Sequence, residues 1–235
     1  MSTRRDFLRR SGALVVTFTL APRLFAQAGG SKPALPGSLS RTPSLDAWIR
    51  IDAAGAITVF TGKAELGQGI KTAITQVAAE ELDVDFAAIR LVTADTALTA
   101  NEGFTAGSKS LEDSGTAIRH AAAQVRAILV AEAARRWNVA PEGLTVENGT
   151  VIAPGGRRAA YGELVAGRDL HVHADAGTKL KDPGRFRVMS RPVRRVDIPA
   201  KVTGGAAYVQ DIRLPGMLHA RVVRPPGYGA KLAAA

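Results

Sequence analysis

The residues best suited to chemistry lie in one run, Thr61-Gly62-Lys63-Ala64-Glu65-Leu66-Gly67-Gln68-Gly69-Ile70-Lys71-Thr72. Its three glycines admit close backbone approach, and Gln68 between two of them can donate and accept hydrogen bonds. A strand-like run, Ala56-Ile57-Thr58-Val59-Phe60, precedes it, and Ile70, Ile74, Val77, Ala78 and Leu82 follow at helical spacing. Strand, glycine loop and helix N-terminus together point free N–H groups at an anion. The same pattern also suits a tight strand-to-helix turn with no ligand.

Spacing narrows the choice of anion. Gly62 and Gly67 have the separation of a nucleotide phosphate loop, but Gln68 stands where the lysine must be, and Lys71-Thr72 comes too late. The dinucleotide fingerprint fails as well, because Thr72 holds its third glycine position. Other groups carry weaker signals. His171 and His173 share a strand face but have no third ligand nearby, so a solvent-facing loop is the expectation. His120 and His219 read as packing or surface residues. Adjacent helical positions face different ways, so Glu80 and Glu81 read as a solvated helix face rather than an acid/base pair. Ser108 and Ser110 have no histidine and carboxylate at a motif position to activate them. The sequon Asn148-Gly149-Thr150 is read as a hairpin turn.

The 235 residues suffice for one large or two small domains, and 46% hydrophobic content allows a core. Net charge is +10, from 31 basic and 21 acidic residues. Arg4, Arg5, Arg9, Arg10, Arg23 and Asp6 lie in the first 28 residues, which leaves 26 against 20 beyond them. No basic helix or aromatic-interleaved patch concentrates that charge, so nucleic acid is not an expected partner. The chain has no cysteine, which excludes disulfides, thiolate metal sites and an iron–sulfur cluster of its own.

The first 28 residues read as a twin-arginine export signal: Thr3-Arg4-Arg5-Asp6-Phe7-Leu8-Arg9, an apolar stretch from Gly12 to Ala21, and a small-x-small site at Ala26-Gln27-Ala28. The apolar stretch falls short of the roughly 20 residues that span a bilayer, so no stable membrane span is expected after cleavage. The implied location is the periplasm. Residues 29–44 are rich in Gly, Ser and Pro and read as a linker.

Beyond that point the patterns predict an α+β fold. Trp48–Asp52 and Ile57–Phe60 form a hairpin, Ile70–Leu82 a helix, Ile89–Thr93 a strand and Ser110–Trp137 a long helix ended by Asn138 to Pro141. Leu144–Glu147 and Thr150–Ile152 form a second hairpin around Asn148-Gly149. Tyr161–Ala166 makes one helical turn. Arg168 to Arg187 is irregular and reads as an inter-domain connection, and Met217–Val223 reads as a strand.

Gly62-x-x-Glu65-Leu66-Gly67-Gln68-Gly69-x-x-Thr72, with Gln76 and Ala79-Glu80-Glu81-Leu82, resembles the molybdopterin-binding segment of the xanthine dehydrogenase and aldehyde oxidase family. The likeness is closest to the large subunits of isoquinoline 1-oxidoreductase and nicotinate dehydrogenase type. Gly103-Phe104-Thr105-Ala106-Gly107-Ser108-Lys109-Ser110 resembles that family's other cofactor-cradling turn. Met189-Ser190-Arg191-Pro192, Arg195-Val196-Asp197-Ile198, Lys201-Val202-Thr203-Gly204, Ala207-Tyr208, Asp211 and Leu214–Leu218 resemble the opening of its α/β hammerhead domain.

The resemblance implies five parts: a signal over 1–28, a linker over 29–44, the first half of a molybdopterin-binding domain over 45–167, a connector over 168–190, and a truncated hammerhead segment over 191–235. It implies a molybdenum–molybdopterin cofactor, in the cytosine dinucleotide form of the bacterial relatives. In that family the Gly-Gln-Gly loop holds the pterin dithiolene and phosphate, so Gly67, Gln68 and Gly69 would hold the pterin end with its phosphate, and Thr105, Ala106, Gly107, Ser108 and Ser110 the second wall. The implied partners are a small [2Fe–2S] subunit, a c-type cytochrome as electron acceptor, and an aldehyde or N-heterocycle substrate hydroxylated with water-derived oxygen. No glycine-rich loop near the metal and no candidate catalytic glutamate occurs in these residues, so no catalytic residue is assigned, and the chain reads as an N-terminal piece without turnover of its own. The residues that would name the substrate would come mainly from elsewhere. The rival readings are an exported, non-catalytic anion-binding or partner-binding module and a nucleotide binder built on the imperfect phosphate loop.

Overall fold

The computed structural model describes residues 33–166, 171–231 and 233. The export signal expected over residues 1–28 lies outside them. Two short 3-10 turns, Gly37–Ser40 and Leu45–Ala47, lead into β1 (Ile49–Ile51). β1 pairs antiparallel with β2 (Ile57–Thr61), with Ile49 opposite Val59. The glycine loop comes next, then α1 (Ile70–Leu82), then β3 (Ile89–Thr93). β3 pairs in parallel with β2, Val59 opposite Leu91, so β2, loop, α1 and β3 form a crossover unit. The glycine loop therefore lies at the C-terminal end of a strand and the start of the crossover helix.

A π turn, Ser110–Gly115, opens the long helix, and α2 itself runs Thr116–Trp137. The sequence pattern alone predicts uninterrupted helix from Ser110. The widened turn lets Ser114 reach Thr61, Oγ to Oγ1 at 2.7 Å. Asn138 closes α2 in the left-handed conformation, as its position after Trp137 predicts. A second sheet comes after it: β4 (Thr145–Glu147), β5 (Thr150–Ile152) and β6 (Arg158–Ala160), all antiparallel. Asn148 and Gly149 both have positive φ, 43° and 71°, as the two central residues of an Asn-Gly hairpin turn require. α3 (Tyr161–Val165) is the expected single turn, while β6 lacks the length to stand out in the sequence.

The core lies where α1 and α2 cross the first sheet. Trp48, Val59, Ile74, Leu82, Ile118 and Leu129 are buried together. Ala117, Ala121, Ala122 and Ala133 on α2 are fully buried, and their small side chains let α1 approach closely. The fold is α+β, as predicted.

Several stretches differ from their sequence reading. From Gly37 onward the expected linker is packed: Leu39 is fully buried, and a Cβ on Gly37 would collide with the Asp113 carbonyl. The stretch read as a connection, described from His171, is irregular as expected, but it is strapped to α1. Glu80, read as a solvated position, is buried and accepts the N–H groups of Arg187 (2.8 Å), Val188 (2.6 Å) and Met189 (3.0 Å), while Lys181 Nζ donates to it at 2.8 Å. Glu81 is also buried, with Arg119 Nε at 2.9 Å and the Lys181 N–H at 3.0 Å. Gln76 completes the strap by donating to the Val188 and Arg191 carbonyls. Beyond α4 (Ile198–Val202) the segment carries one 3-10 turn, Val209–Asp211. Met217–Val223 forms no strand; no neighbouring strand among the described residues pairs its backbone groups. Val202, Val209, Leu214, Leu218, Val222, Val223 and Tyr228 stand exposed there. No helix among the described residues is long and apolar enough to cross a membrane.

Glu80 sets a stability test. Burial alone would raise its carboxyl, but the Lys181 bond and the N–H groups of Val188, Met189 and Arg187 outweigh that and hold it below the ordinary 4.5. A depressed carboxylate contributes stability that is present above its unfolded value and lost as pH falls through its folded one. Urea midpoints should therefore drop below about pH 4 in the wild type, and this acid-dependent part should shrink in Glu80→Gln. Glu80→Ala should cost about 3–5 kcal/mol by leaving the N–H groups of residues 187–189 without their acceptor and Lys181 with Asp83 as its remaining carboxylate, and limited proteolysis should then cut between residues 178 and 191.

Candidate functional site: two glycine loops joined by a buried polar bridge

The first loop, residues 62–69, leaves β2 at Gly62. A Cβ there would collide with the Ala100 carbonyl, so only glycine lets the two strands of chain pass. The second loop, residues 101–109, arrives beside it and leads into the π turn. Between them lies an open cleft of about 710 Å³, lined by Gly62, Ala64 and Leu66 on one side and by Glu102, Phe104, Thr105 and Ala106 on the other. Leu66 is 70% exposed and Phe104 93% exposed, so each wall presents one apolar side chain to solvent.

A buried polar bridge fixes the spacing of the walls. Lys63, only 2% exposed, donates to the Glu102 carbonyl at 2.9 Å and the Phe104 carbonyl at 3.4 Å, and pairs with Asp113 at 3.5 Å. Glu102 Oε2 accepts from the Gly62 N–H at 2.7 Å and the Thr61 hydroxyl at 3.2 Å. The Ala64 N–H donates to Thr105 Oγ1 at 2.8 Å. Glu102 Oε1 is buried and has no partner. An uncompensated carboxylate oxygen is costly in a folded protein, and a donor on a ligand is one way to satisfy it.

The first loop differs from its sequence reading in one decisive respect. The N–H groups of Gly67, Gly69 and Lys71 are not free. The Glu65 carboxylate accepts from Gly67 at 2.8 Å and Gly69 at 3.0 Å through Oε1, and from Lys71 at 3.1 Å through Oε2. Gln68 is also engaged within the loop, Oε1 accepting the Leu66 N–H at 2.6 Å and Nε2 donating to the Ala64 carbonyl at 2.8 Å. Burial would raise the Glu65 carboxyl, but the N–H groups of Gly69, Lys71 and Gly67 outweigh that and lower it. Gly67 and Gly69 have φ of 100° and 86°, which a residue with a Cβ rarely adopts.

Thr105 and Ala106 line the cleft; Gly67, Gln68, Gly69, Gly107, Ser108 and Ser110 are not among its lining residues. Gly107 and Ser108 turn the second loop with φ of 66° and 56°, and Ser110 starts the π turn. Behind Gly69 lies Arg195, whose guanidinium carbon is 3.5 Å from where a Cβ would be. Arg195 pairs with Asp197 at 2.7 Å and with Glu65 at 3.6 Å, and Lys201 joins Asp197 at 2.7 Å. Bonds from Arg195 and Lys201 push the Asp197 carboxyl far down. The Val196 N–H meets Thr72 Oγ1 at 3.0 Å. The segment 195–201 is thus fastened to the loop.

His171 binds Asp46 at 2.8 Å, and the His173 carbonyl accepts from Gln124. No group of three or more metal-ligating side chains occurs among the described residues. A larger cleft of about 930 Å³ lies elsewhere, lined by Leu45, Ile49, Val125, Leu129 and Val172 with Asp46 and His171 at its side. It carries none of the glycine-loop residues.

The family described as the molybdopterin cofactor-binding domain matches residues 23–209, an extent that takes in both loops and the Arg195 segment. The chain belongs to this family. A nicotinate dehydrogenase subunit from Pseudomonas putida is 37% identical over 227 residues, 97% of this chain and 19% of that one. The beta subunit of isoquinoline 1-oxidoreductase from Brevundimonas diminuta is 32% identical over 269 residues, 97% of this chain and 34% of that one. The carbon monoxide dehydrogenase structure from Oligotropha carboxidovorans aligns over 50% of this chain and 15% of that one, at 26% identity and a TM-score of 0.45. The chain therefore spans 19% and 34% of the first two relatives' own lengths.

As a molybdopterin-binding domain the cleft fits part of its cofactor. An apolar side chain on each wall, a neutral Thr105–Ala106 stretch and an unpartnered carboxylate oxygen suit a flat ring that carries N–H donors. The start of α1 does not suit a phosphate, because Glu65 already fills it. The sequence motifs contain Glu65 and Arg195 without giving either a role, and they leave Lys63, Glu102 and Asp113 unassigned. The signal for Lys63 is a cation inside a glycine loop with no phosphate motif to use it.

The bridge predicts a local effect. Lys63→Met should destabilise the chain by about 1–3 kcal/mol, because the buried Glu102 carbonyl, the Phe104 carbonyl and Asp113 lose their donor. Hydrogen exchange should accelerate at residues 102–106 and remain unchanged in the β4–β5 hairpin.

Proposed function

We propose that the chain supplies one wall of the molybdopterin site in an oxidoreductase that hydroxylates aldehydes or N-heterocycles with water-derived oxygen. The observation that carries this is the pair of glycine loops, bridged by Lys63 and Glu102, in a chain whose relatives over 97% of its length are dehydrogenase and oxidoreductase subunits. In this reading residues 45–167 form the first half of the cofactor domain, 191–235 open a hammerhead domain, and 168–190 join the two. Gly67, Gln68, Gly69, Thr105, Ala106, Gly107, Ser108 and Ser110 border the cofactor.

When bound, the molybdenum–pterin group supplies the oxygen-transfer and two-electron chemistry. The chain's own residues orient and shield. Lys63 and Glu102 hold the walls at a fixed separation, so the cleft is formed before a ligand arrives. Thr105 anchors the second wall to the Ala64 N–H. Leu66 and Phe104 exclude water from a ring seated between them. Glu102 Oε1 accepts from a ring N–H. Glu102 is the one titratable side chain among the residues lining the cleft, and its other oxygen is committed to Gly62 and Thr61. With Oε1 given to the ring, no titratable group lining the cleft is left to take a proton from a substrate, and no turnover is expected of this chain alone. The cofactor in cytosine dinucleotide form, a [2Fe–2S] subunit, a c-type cytochrome acceptor and folded export to the periplasm by the twin-arginine route belong to the same proposal. A partner-binding module without chemistry is the second reading, favoured by the exposed apolar run after Val202.

Metal and pterin analysis of the natively produced protein, with its co-purifying subunits identified, tests the proposal. Expected are molybdenum and pterin near one per complex and an iron–sulfur subunit. A metal-free, pterin-free complex would leave the partner-binding module. The purified chain by itself should oxidise no aldehyde; molybdenum-dependent turnover from it would refute the one-wall reading.

A further inference from the structure

Glu65 stands where an anionic ligand group would be expected. Its carboxylate collects three N–H donors at the start of α1, from Gly67, Gly69 and Lys71, and faces the Arg195 guanidinium at 3.6 Å. Three N–H groups and a guanidinium are a donor set that holds phosphate or sulfate at a helix N-terminus. Here the anion is part of the chain, so no incoming anion meets it at equal advantage. The seat is also reinforced from outside the loop, since Arg195 is itself held by Asp197 and packs on Gly69.

What the loop then offers is neutral. Gln68 has used one Nε2 hydrogen on the Ala64 carbonyl and one Oε1 lone pair on the Leu66 N–H. One N–H and one lone pair remain, together with the loop's carbonyls. Next to it Leu66 is exposed and apolar. We infer that Glu65 is a specificity-determining residue of the first glycine loop: a built-in anion that bars the phosphate end of a ligand from α1 and leaves the Gly67-Gln68-Gly69 turn, beside the cleft, to an uncharged, hydrogen-bonding part. The identity of that ligand rests on the molybdopterin reading; the exclusion of phosphate does not.

The test uses inorganic phosphate and the full chain, followed by the amide resonances of Gly67, Gly69 and Lys71. In the wild type these should stay put up to about 10 mM phosphate, the weak end of any specific affinity. In Glu65→Ala all three should shift together and saturate, and adding Arg195→Gln should weaken that binding about tenfold. Glu65→Gln keeps the shape of the turn and covers the case in which the alanine variant does not fold; it should bind phosphate more weakly than Glu65→Ala but measurably. A wild-type chain whose Glu65 carboxyl carbon or three amides respond to phosphate overturns the proposal, and so do folded Glu65 variants that do not bind it. No molybdenum or pterin enters the experiment, so its failure is separate from failure of the cofactor analysis.

Discussion

Two adjacent carboxylates on one helix, both out of water, hold this structure together. Glu80 and Glu81 face different directions from α1, as neighbours on a helix must. Each direction meets a different part of the chain. Glu80 gathers three consecutive N–H groups of residues 187–189 and the Lys181 ammonium; Glu81 gathers Arg119 of α2 and the Lys181 backbone. Charges this deep are costly unless their oxygens are engaged, and all four oxygens of Glu80 and Glu81 are. That demand turns a stretch with no regular secondary structure into a fixed strap across the helix pair. The strap in turn delivers residues 195–201 to the start of α1, where Arg195 meets Glu65.

The same device recurs at the loops on a smaller scale. Lys63 is a cation spent on carbonyls, Glu102 a carboxylate spent on a backbone N–H and a hydroxyl, and Glu65 a carboxylate spent on the helix start. Each ties irregular backbone to a regular element. Glycine-rich turns lose much conformational freedom on folding. Here ionised side chains inside or beside the turns offset that loss, so the cleft has a shape without needing a ligand to impose one.

The regular elements are legible because periodicity reports them directly. α1 begins and ends where Ile70 and Leu82 predict, and the Asn148-Gly149 turn follows from its need for two positive φ values. The loops are legible as a family motif, not as geometry. Periodicity and spacing say where a helix N-terminus lies but not what fills it, and Glu65, two residues from Gly67, gives no sign in sequence that it folds back. Burial of Glu80 and Glu81 runs against their sequence reading for a related reason: their partners, Arg119, Lys181 and residues 187–189, lie between 38 and 109 positions away. The expected strand at Met217–Val223 has the right composition, but composition cannot provide a neighbour to pair with.

The apolar run after Val202 has a colloidal consequence. Leu214, Leu218, Val222 and Val223 face solvent among Arg213, Arg221, Arg224 and Lys231, on a chain that carries a net charge of +10. At low ionic strength like charge keeps such surfaces apart. At physiological salt the repulsion reaches only about 8 Å, while the attraction between apolar faces is undiminished. Salt, which protects many proteins from charge-driven association, would here remove the barrier that keeps copies of this segment from finding each other.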